Sequence, residues 1–567
     1  MHWNTFISLE TIVVPSEGNV STAEVSEIFE SEPPRKRQRG IDECFLEFGE
    51  DSVKTKKIDR AIMQLIASAN LPISLVENTA FTNLMKIVSP SLKVKGRTHF
   101  TRKELQRVYD EYSNKLKAEL SKHEHLSISF DCWSDHANKY QVLAVMCHFN
   151  VEKEFVYRLL GVIDVSKERH TGFYLSEKIK DLLEEYSISD KVKACLRDGA
   201  GNAASAAEKV CGTQFDCLGH KLNLAVREGT KKFGGLDSLM NKLRKICNKV
   251  RKSSISRRSW EKIWEKMEKP SLFLKKDVEV RSLLKNKRIF FLQTRWLSMY
   301  EVISRALEVR GELEMFLMED ESIACISLNE WEIAESVVKL LKPVVIAVKQ
   351  VQDRQFTASS IIPLCRVIIG MLRDDNQEYK YASTAIADRL NLELQIYESI
   401  EFLQISTLLD NRFKNCFAEQ EWSKKLLQLM NNCEKDCEGC DPVNEIEAGT
   451  DTDVFAKFSM RKQRPDASDA SRNSKIAGEY ARWFAEPVIS KVSPMEFWNN
   501  RQNQASFQTL AKLVPIYLST PATTCEVERL FSGARYLLAD NRKQLSPENF
   551  SKLLFLRTNI PLIGFSE

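Results

Sequence analysis

The sequence predicts an α/β core interrupted by a large all-α insertion, with helical segments before and after it. Three observations carry this. Leu126–Asp131 alternates apolar and polar residues with the period of a strand. Beyond Trp296 the apolar residues recur at helical spacing instead. Three acids, Asp131, Asp198 and Glu528, sit in short distinctive segments, the last 528−198 = 330 residues beyond the second. If they form one site, an insertion must interrupt the core.

With 567 residues, 43% of them hydrophobic, the chain can supply several cores or one core enlarged by insertion. Eighty-two Lys and Arg oppose 78 Asp and Glu, so the net charge is only +4, and nucleic-acid binding would have to come from local basic patches. No apolar run approaches the ~18 residues of a membrane span, and Met1–Ser16 lacks a secretory layout, so no membrane partner and an intracellular location are expected. Fourteen cysteines scattered singly in apolar segments suit reduced thiols rather than a disulfide framework.

Residues 1–56 mix Ser, Glu, Pro and charge without periodicity and read as a flexible tail. Beside Pro33 and Pro34 it carries Arg35, Lys36, Arg37 and Arg39, a basic cluster of the kind nuclear import receptors read; a solvated charge run is the alternative. Residues 57–125 form a helical segment, with Ile58, Ile62, Leu65 and Ile66, then Leu105, Val108, Tyr109 and Tyr112, at helical spacing. The first strand puts Asp131 on the face opposite Leu126, Ile128 and Phe130, which reads as half-buried. Two strand-like runs, 142–151 and 155–165, a helix at 173–186 and a strand at 192–196 ending at Asp198 complete the first part of the core, 126–300. Three strands, a helix and a fourth strand, with acids on strands one and four, is the order of an RNase H-like core.

The helical insertion follows over 301–488, with Val337, Leu340, Leu341 and Val344 typical of its stripes. A polar stretch near 431–475 reads as a mobile loop. In the last segment, 489–567, Thr523–Glu526 fits a capping box, and Val527, Leu530, Phe531, Ala534 and Leu538 make an apolar stripe beside Glu528.

Between Asp237 and Glu261 there is no acid, while Lys242, Arg244, Lys245, Lys249, Arg251, Lys252, Arg257 and Arg258 accumulate; these are either phosphate contacts or a solvated helix face. Trp296 either stacks on an unpaired base or belongs to the core. Cys217 and His220 have the spacing of a metal-ligand pair with no second pair nearby, and Cys433, Cys437 and Cys440 lack a fourth ligand, so no structural zinc is expected.

Several blocks resemble those of hAT-superfamily transposases: Ser129–Ser134, Arg197–Asn202, Cys217–His220, Thr294–Trp296, Leu408–Lys414, and Pro521–Ser532 followed by Asn541–Ser546. The nearest subgroup in appearance is the zinc-finger BED domain-containing proteins derived from such transposases. Gly199 stands where the family usually has Asn, and Asn411 where it has Pro. Residues 1–56 offer only Cys44 and His2 toward a BED finger, too few for its zinc site.

The resemblance implies an RNase H-like core of the DDE type, completed by a C-terminal dimerisation region, with Asp131, Asp198 and Glu528 as catalytic residues and ligands of Mg2+ or Mn2+. It also makes His220 a candidate DNA contact, a packed histidine being the alternative. The function it implies is a nuclear, transposase-derived protein that binds DNA and forms a homodimer or higher oligomer. The alternative is a working transposase that cuts and joins DNA.

Overall fold

Five strands, β1 (Leu126–Ser134), β2 (Gln141–Val151), β3 (Glu154–Asp164), β4 (Val192–Arg197) and β5 (Gln214–Asp216), lie side by side in the order β3-β2-β1-β4-β5. The structure is a computed structural model that describes residues 52–565 apart from 136–139, 152–153, 269, 271, 274–294, 321, 352–355, 375–378, 416–419, 436–465, 490 and 539–544. The sheet is mixed: β1 is antiparallel to β2 and parallel to β4, β2 is antiparallel to β3, and β4 is parallel to β5. The rest of the described chain is mostly helical.

The chain divides into residues 1–55 and residues 56–567. Of the first unit only Ser52–Thr55 are described, and the basic cluster at Arg35, Lys36, Arg37 and Arg39 lies outside the described residues.

In the second unit two hydrophobic clusters pack on the sheet, and β4 contributes to both from opposite faces. Leu126, Ile128, Phe130 and Cys195 face a cluster shared with α3 (Leu105–Leu120), α4 (Gly172–Glu185), α20 (Cys525–Leu537) and α21 (Pro547–Ile563). Ala194, Leu196 and Phe215 face a larger, helical cluster. Strand β1 is therefore buried on both faces over Leu126–Phe130, rather than half-buried as its alternation suggested. The polar residues are satisfied inside: Ser127 Oγ donates to the Ser519 carbonyl at 2.9 Å, and Ser129 Oγ lies 2.7 Å from His148 Nε2.

His148 is 1% exposed, and burial lowers its pKa to about 3. Because an unfolded histidine titrates near ~6.5, the unfolded chain takes up a proton that the folded one refuses, and this contribution is lost as pH falls through that window. The stability gap between the parent and His148→Gln, read from urea midpoints, should narrow by about 2 kcal/mol from pH 7 to pH 5. A gap that does not change with pH would remove His148 from the account.

The helical body starts earlier than the boundary at 300. Helices α6 (Leu218–Thr230), α7 (Leu236–Lys252) and α8 (Ser254–Lys266) already pack into the helical cluster, together with α9 (Arg295–Glu308), α10 (Arg310–Glu319), α11 (Leu328–Val351), α12 (Ile361–Asp374), α13 (Lys380–Ser399) and α14 (Glu401–Leu409). Helix α6 lies close against α13: a Cβ at Gly229 would collide with Ile386 and come 2.8 Å from the Ala382 carbonyl. The stretch read as a loop near 431–475 is helical at both ends, in α15 (Gln420–Lys435) and α16 (Asp466–Ala485), while 436–465 lies outside the described residues. Among the described residues no helix is long and apolar enough to cross a membrane.

The C-terminal apolar stripe turns inward. Val527, Leu530, Phe531 and Ala534 of α20, and Phe550, Leu553 and Leu554 of α21, are buried within the chain's own core, with Phe531 and Phe550 stacked on Trp133 of β1. They are not available to a second copy.

Candidate active site

The register of the sheet brings the two aspartates abreast. Ser129 pairs with Leu196 across the parallel β1–β4 ladder, so Asp131 and Asp198, each two residues further along, reach the same level on the same face. Asp131 Oδ1 accepts the Cys132 N–H at 2.7 Å, and Asp198 Oδ1 accepts the Ala200 N–H at 3.2 Å, just ahead of α5 (Gly201–Val210).

Glu528 reaches the same region from α20. The helix starts at Cys525, so Thr524 rather than Thr523 precedes it, and in place of the expected capping box the Thr524 hydroxyl donates to Glu528 Oε1 at 3.1 Å. The Thr524 N–H donates to Cys217 Sγ at 3.3 Å, and the Leu218 N–H donates to the Ala522 carbonyl at 3.2 Å. Two segments about 300 residues apart, the start of α6 and the start of α20, are thus pinned together. Glu528 is 8% exposed, and its Oε2 is buried with no hydrogen-bond partner among the described residues.

Burial and neighbouring charge act on two of the acids. Burial, then the charge of Asp198, pushes the Asp131 carboxyl up to about 7, partly offset by His220 and the Cys132 N–H. Burial also holds Glu528 well above the usual carboxylate range, with Cys217 and Asp131 adding to the shift and His220 and Thr524 opposing it. His220 thus opposes the upward shift of both Asp131 and Glu528.

The donor set suits a hard divalent cation. All three side chains offer carboxylate oxygens, the acids repel one another, and one oxygen of Glu528 is unpartnered, each a condition a divalent cation relieves. As the side chains stand, no group of three His, Cys, Asp or Glu among the described residues closes a coordination shell. One oxygen of each acid is instead held by a local donor.

Behind the acids lies an ionic network whose role was not read from the sequence. Arg197 pairs with Asp216, donates to the Asp198 carbonyl at 2.9 Å and to Gln214 Oε1 at 2.6 Å; Lys221 bridges Asp216 at 2.7 Å and Glu393 of α13 at 2.8 Å. The Tyr397 hydroxyl donates to the Asp216 carbonyl at 3.1 Å. The only sequence signal was a charge inside an apolar run, as with Arg197 after Ala194-Cys195-Leu196.

The remaining candidates separate. Trp296 is 2% exposed within the helical core, so it is not a platform for a base. In the basic stretch, Lys242 is committed to Glu330 at 2.7 Å, Lys249 pairs with Asp320, and Arg257 pairs with Glu261 at 3.1 Å. Arg244 donates to Asn241 Oδ1 at 3.3 Å, and Arg251 is exposed at the end of α7. Lys245, Lys252 and Arg258 are exposed with no ion pair among the described residues. Cys433 is described, while Cys437 and Cys440 lie outside the described residues.

Comparison with known proteins places two regions. Residues 479–560, which include Glu528, match the hAT family C-terminal dimerisation region, and residues 215–340 match the ZBED1 RNase-like helical domain. The chain is 23% identical over 593 residues to "Zinc finger BED domain-containing protein 4" of Homo sapiens, covering 96% of this chain and 48% of that protein. It is also 23% identical over 536 residues to "Putative transcriptional regulator tpeD" of Talaromyces stipitatus, covering 87% of this chain and 60% of that protein. It therefore spans about half the length of these relatives. In these two regions and across these relatives, the chain is similar to hAT-derived proteins, the zinc-finger BED domain-containing proteins among them.

Proposed function

We propose that this chain is a transposase-derived nuclear protein that binds DNA and self-associates, built on an RNase H-like core whose three acids form a DDE-type cation site. The observation that carries the reading is the β1–β4 register, which sets Asp131 and Asp198 abreast, together with the buried, unpartnered Oε2 of Glu528, 528−131 = 397 residues beyond Asp131 in sequence. The β3-β2-β1-β4-β5 sheet, with acids on β1 and β4, supports the RNase H-like assignment.

Self-association is supported by the match to the hAT dimerisation region. Since the apolar faces of α20 and α21 are spent inside the chain, a dimer would use other surfaces. Nuclear location is supported by relatives that include one named as a transcriptional regulator, and by the Arg35–Arg39 cluster.

A second reading, retained DNA cleavage, is favoured by the unpartnered Glu528 Oε2. A pair of Mg2+ or Mn2+ ions would supply activation of the attacking oxygen and stabilisation of the leaving one. In that case Asp131 and Asp198 present oxygens at one level of the sheet, and Glu528 closes the site from α20. The Arg197–Asp216–Lys221–Glu393 network fixes the backbone on which Asp198 sits.

The test uses the purified chain with duplex DNA, sedimentation and supercoiled plasmid. The expected result is salt-dependent binding, with Lys245→Gln/Lys252→Gln/Arg258→Gln lowering the slope of log affinity against log salt by about 2 to 3. A species heavier than the monomer should sediment at micromolar concentration. Binding that ignores salt would reject the DNA assignment, and a monomer would reject self-association. Plasmid nicking in Mn2+ that is lost in Asp198→Ala would establish the second reading.

A further inference from the structure

A second basic surface lies in the N-terminal helical segment, away from α7 and α8 in sequence and absent from the sequence-based candidates. From Asn78 to Lys103 there is no acidic residue, while Lys86, Lys93, Lys95, Arg97, Arg102 and Lys103 accumulate. The bracketing and underlying acids are already engaged. Glu77 Oε1 accepts the Arg97 backbone N–H at 3.0 Å, buried Asp59 holds Lys95 at 3.0 Å with His99 at 3.5 Å, and Glu104 takes Arg107 at 2.5 Å. Lys93, Arg97, Arg102 and Lys103 are left exposed, with no ion pair among the described residues.

Their placement runs against the local rules of helices. Arg97–His99 forms a helical turn, Phe100–Glu104 a π turn, and α3 continues from Leu105, so Arg97, Arg102 and Lys103 sit at the start of a helix whose dipole disfavours cations there. The turn has no acid of its own, and the carboxylate at its start is Glu77, which takes the Arg97 backbone N–H rather than a side-chain cation. A π turn costs hydrogen-bond geometry and recurs at functional positions.

Arg97 lines a cavity of about 170 Å³, large enough for a five- or six-membered ring. Arg97, Thr101, Ser74 and Asn549 line its polar side, with Ser546 at the start of α21; Ile73 and Leu553 are among its apolar walls. Thr101 Oγ1 is buried with no hydrogen-bond partner among the described residues.

We infer that this surface binds a DNA strand, with Arg97 and Thr101 holding a phosphate at the mouth of the cavity and the sugar of the same nucleotide entering it. Lys93, Arg102 and Lys103 take the flanking phosphates. The inference rests on the DNA-binding reading for the identity of its ligand, and on the unpaired cations, the orphaned hydroxyl and the cavity for its location.

The experiment measures affinity of the full chain for a 5-iododeoxyuridine-labelled duplex and for its single strand over a salt series. It compares the parent, Lys93→Gln/Arg97→Gln/Arg102→Gln/Lys103→Gln, and the α7–α8 triple variant. The four-site variant should bind about 100-fold more weakly at low salt and lose about 3 units of salt slope. Photocrosslinks in the parent should map to 93–103 and 545–553. If the four-site variant binds like the parent while the α7–α8 variant loses affinity, this site is wrong and DNA binding stands. If the parent shows no salt-dependent binding, both readings fall.

Discussion

Asp131→Asn will stabilise the cation-free protein at pH 8, and will abolish the added stability that Mn2+ gives the parent. In the parent, burial and Asp198 hold the Asp131 carboxyl up to about 7, while the unfolded chain titrates it near ~3.9. Between those values the folded chain keeps a proton the unfolded one has released, so this contribution to stability falls as pH rises from ~4 through ~7. At pH 8 the cost of an ionised Asp131 is about 4 kcal/mol, which a neutral amide escapes. Asn keeps the acceptor that Cys132 N–H needs, so the fold of β1 is not disturbed.

Adding a divalent cation should reverse the penalty in the parent, raising stability by about 2.7 kcal/mol at a hundredfold excess over Kd. Asp131→Asn and Asp198→Asn should lose that rise. Thermal or urea unfolding in chelator and in Mn2+ at pH 5 and pH 8 reads both effects. The stabilisation from Asp131→Asn should shrink by about 2 to 3 kcal/mol at pH 5. A variant less stable than the parent at pH 8, or an unchanged response to Mn2+ in both variants, would remove the acids from the role given to them. His148 works in the opposite sense over the same pH range, which is why each is read as a difference between parent and variant.

The strands and their acids were legible because period-two alternation is a local signal: Leu126–Asp131 and Val192–Leu196 became neighbouring strands with Asp131 and Asp198 abreast. What the sequence left open was partner identity. An apolar stripe on α20 looks the same whether its partner is the chain's own sheet or a second copy, and only the fold shows Phe531 against Trp133. Trp296 beside an arginine reads equally as a base platform or as core, and burial decides for core. Lys242 and Lys249 are committed to Glu330 and Asp320, acids 88 and 71 residues further along, which no local window contains. Arg97, Arg102 and Lys103 were passed over for the converse reason: helical apolar spacing drew attention to the core side of that segment, and only the structure shows which cations stay unpaired.

Asn559→Ala will cost about 3 to 5 kcal/mol. Strand β3 is an edge of the sheet, and its register shifts opposite Val145 and Met146, so Leu159 has outward backbone groups with no strand to take them. Asn559 of α21, fully buried, takes both: its amide donates to the Leu159 carbonyl at 2.9 Å and its oxygen accepts the Leu159 N–H at 3.2 Å. Truncation leaves two buried backbone groups unpaired, each costing about 1 to 3 kcal/mol. The same helix holds the N-terminal segment, through Phe555 against Tyr109 and the Gly564 carbonyl accepting the Tyr112 hydroxyl at 2.8 Å, so its loosening should expose both ends to protease together. Because these contacts lie within one chain, the melting point of Asn559→Ala should fall by the same amount at every protein concentration. A loss that disappears as concentration rises would instead put α21 in the interface between copies, and a change below about 1 kcal/mol would mean that the edge of β3 is satisfied by other groups.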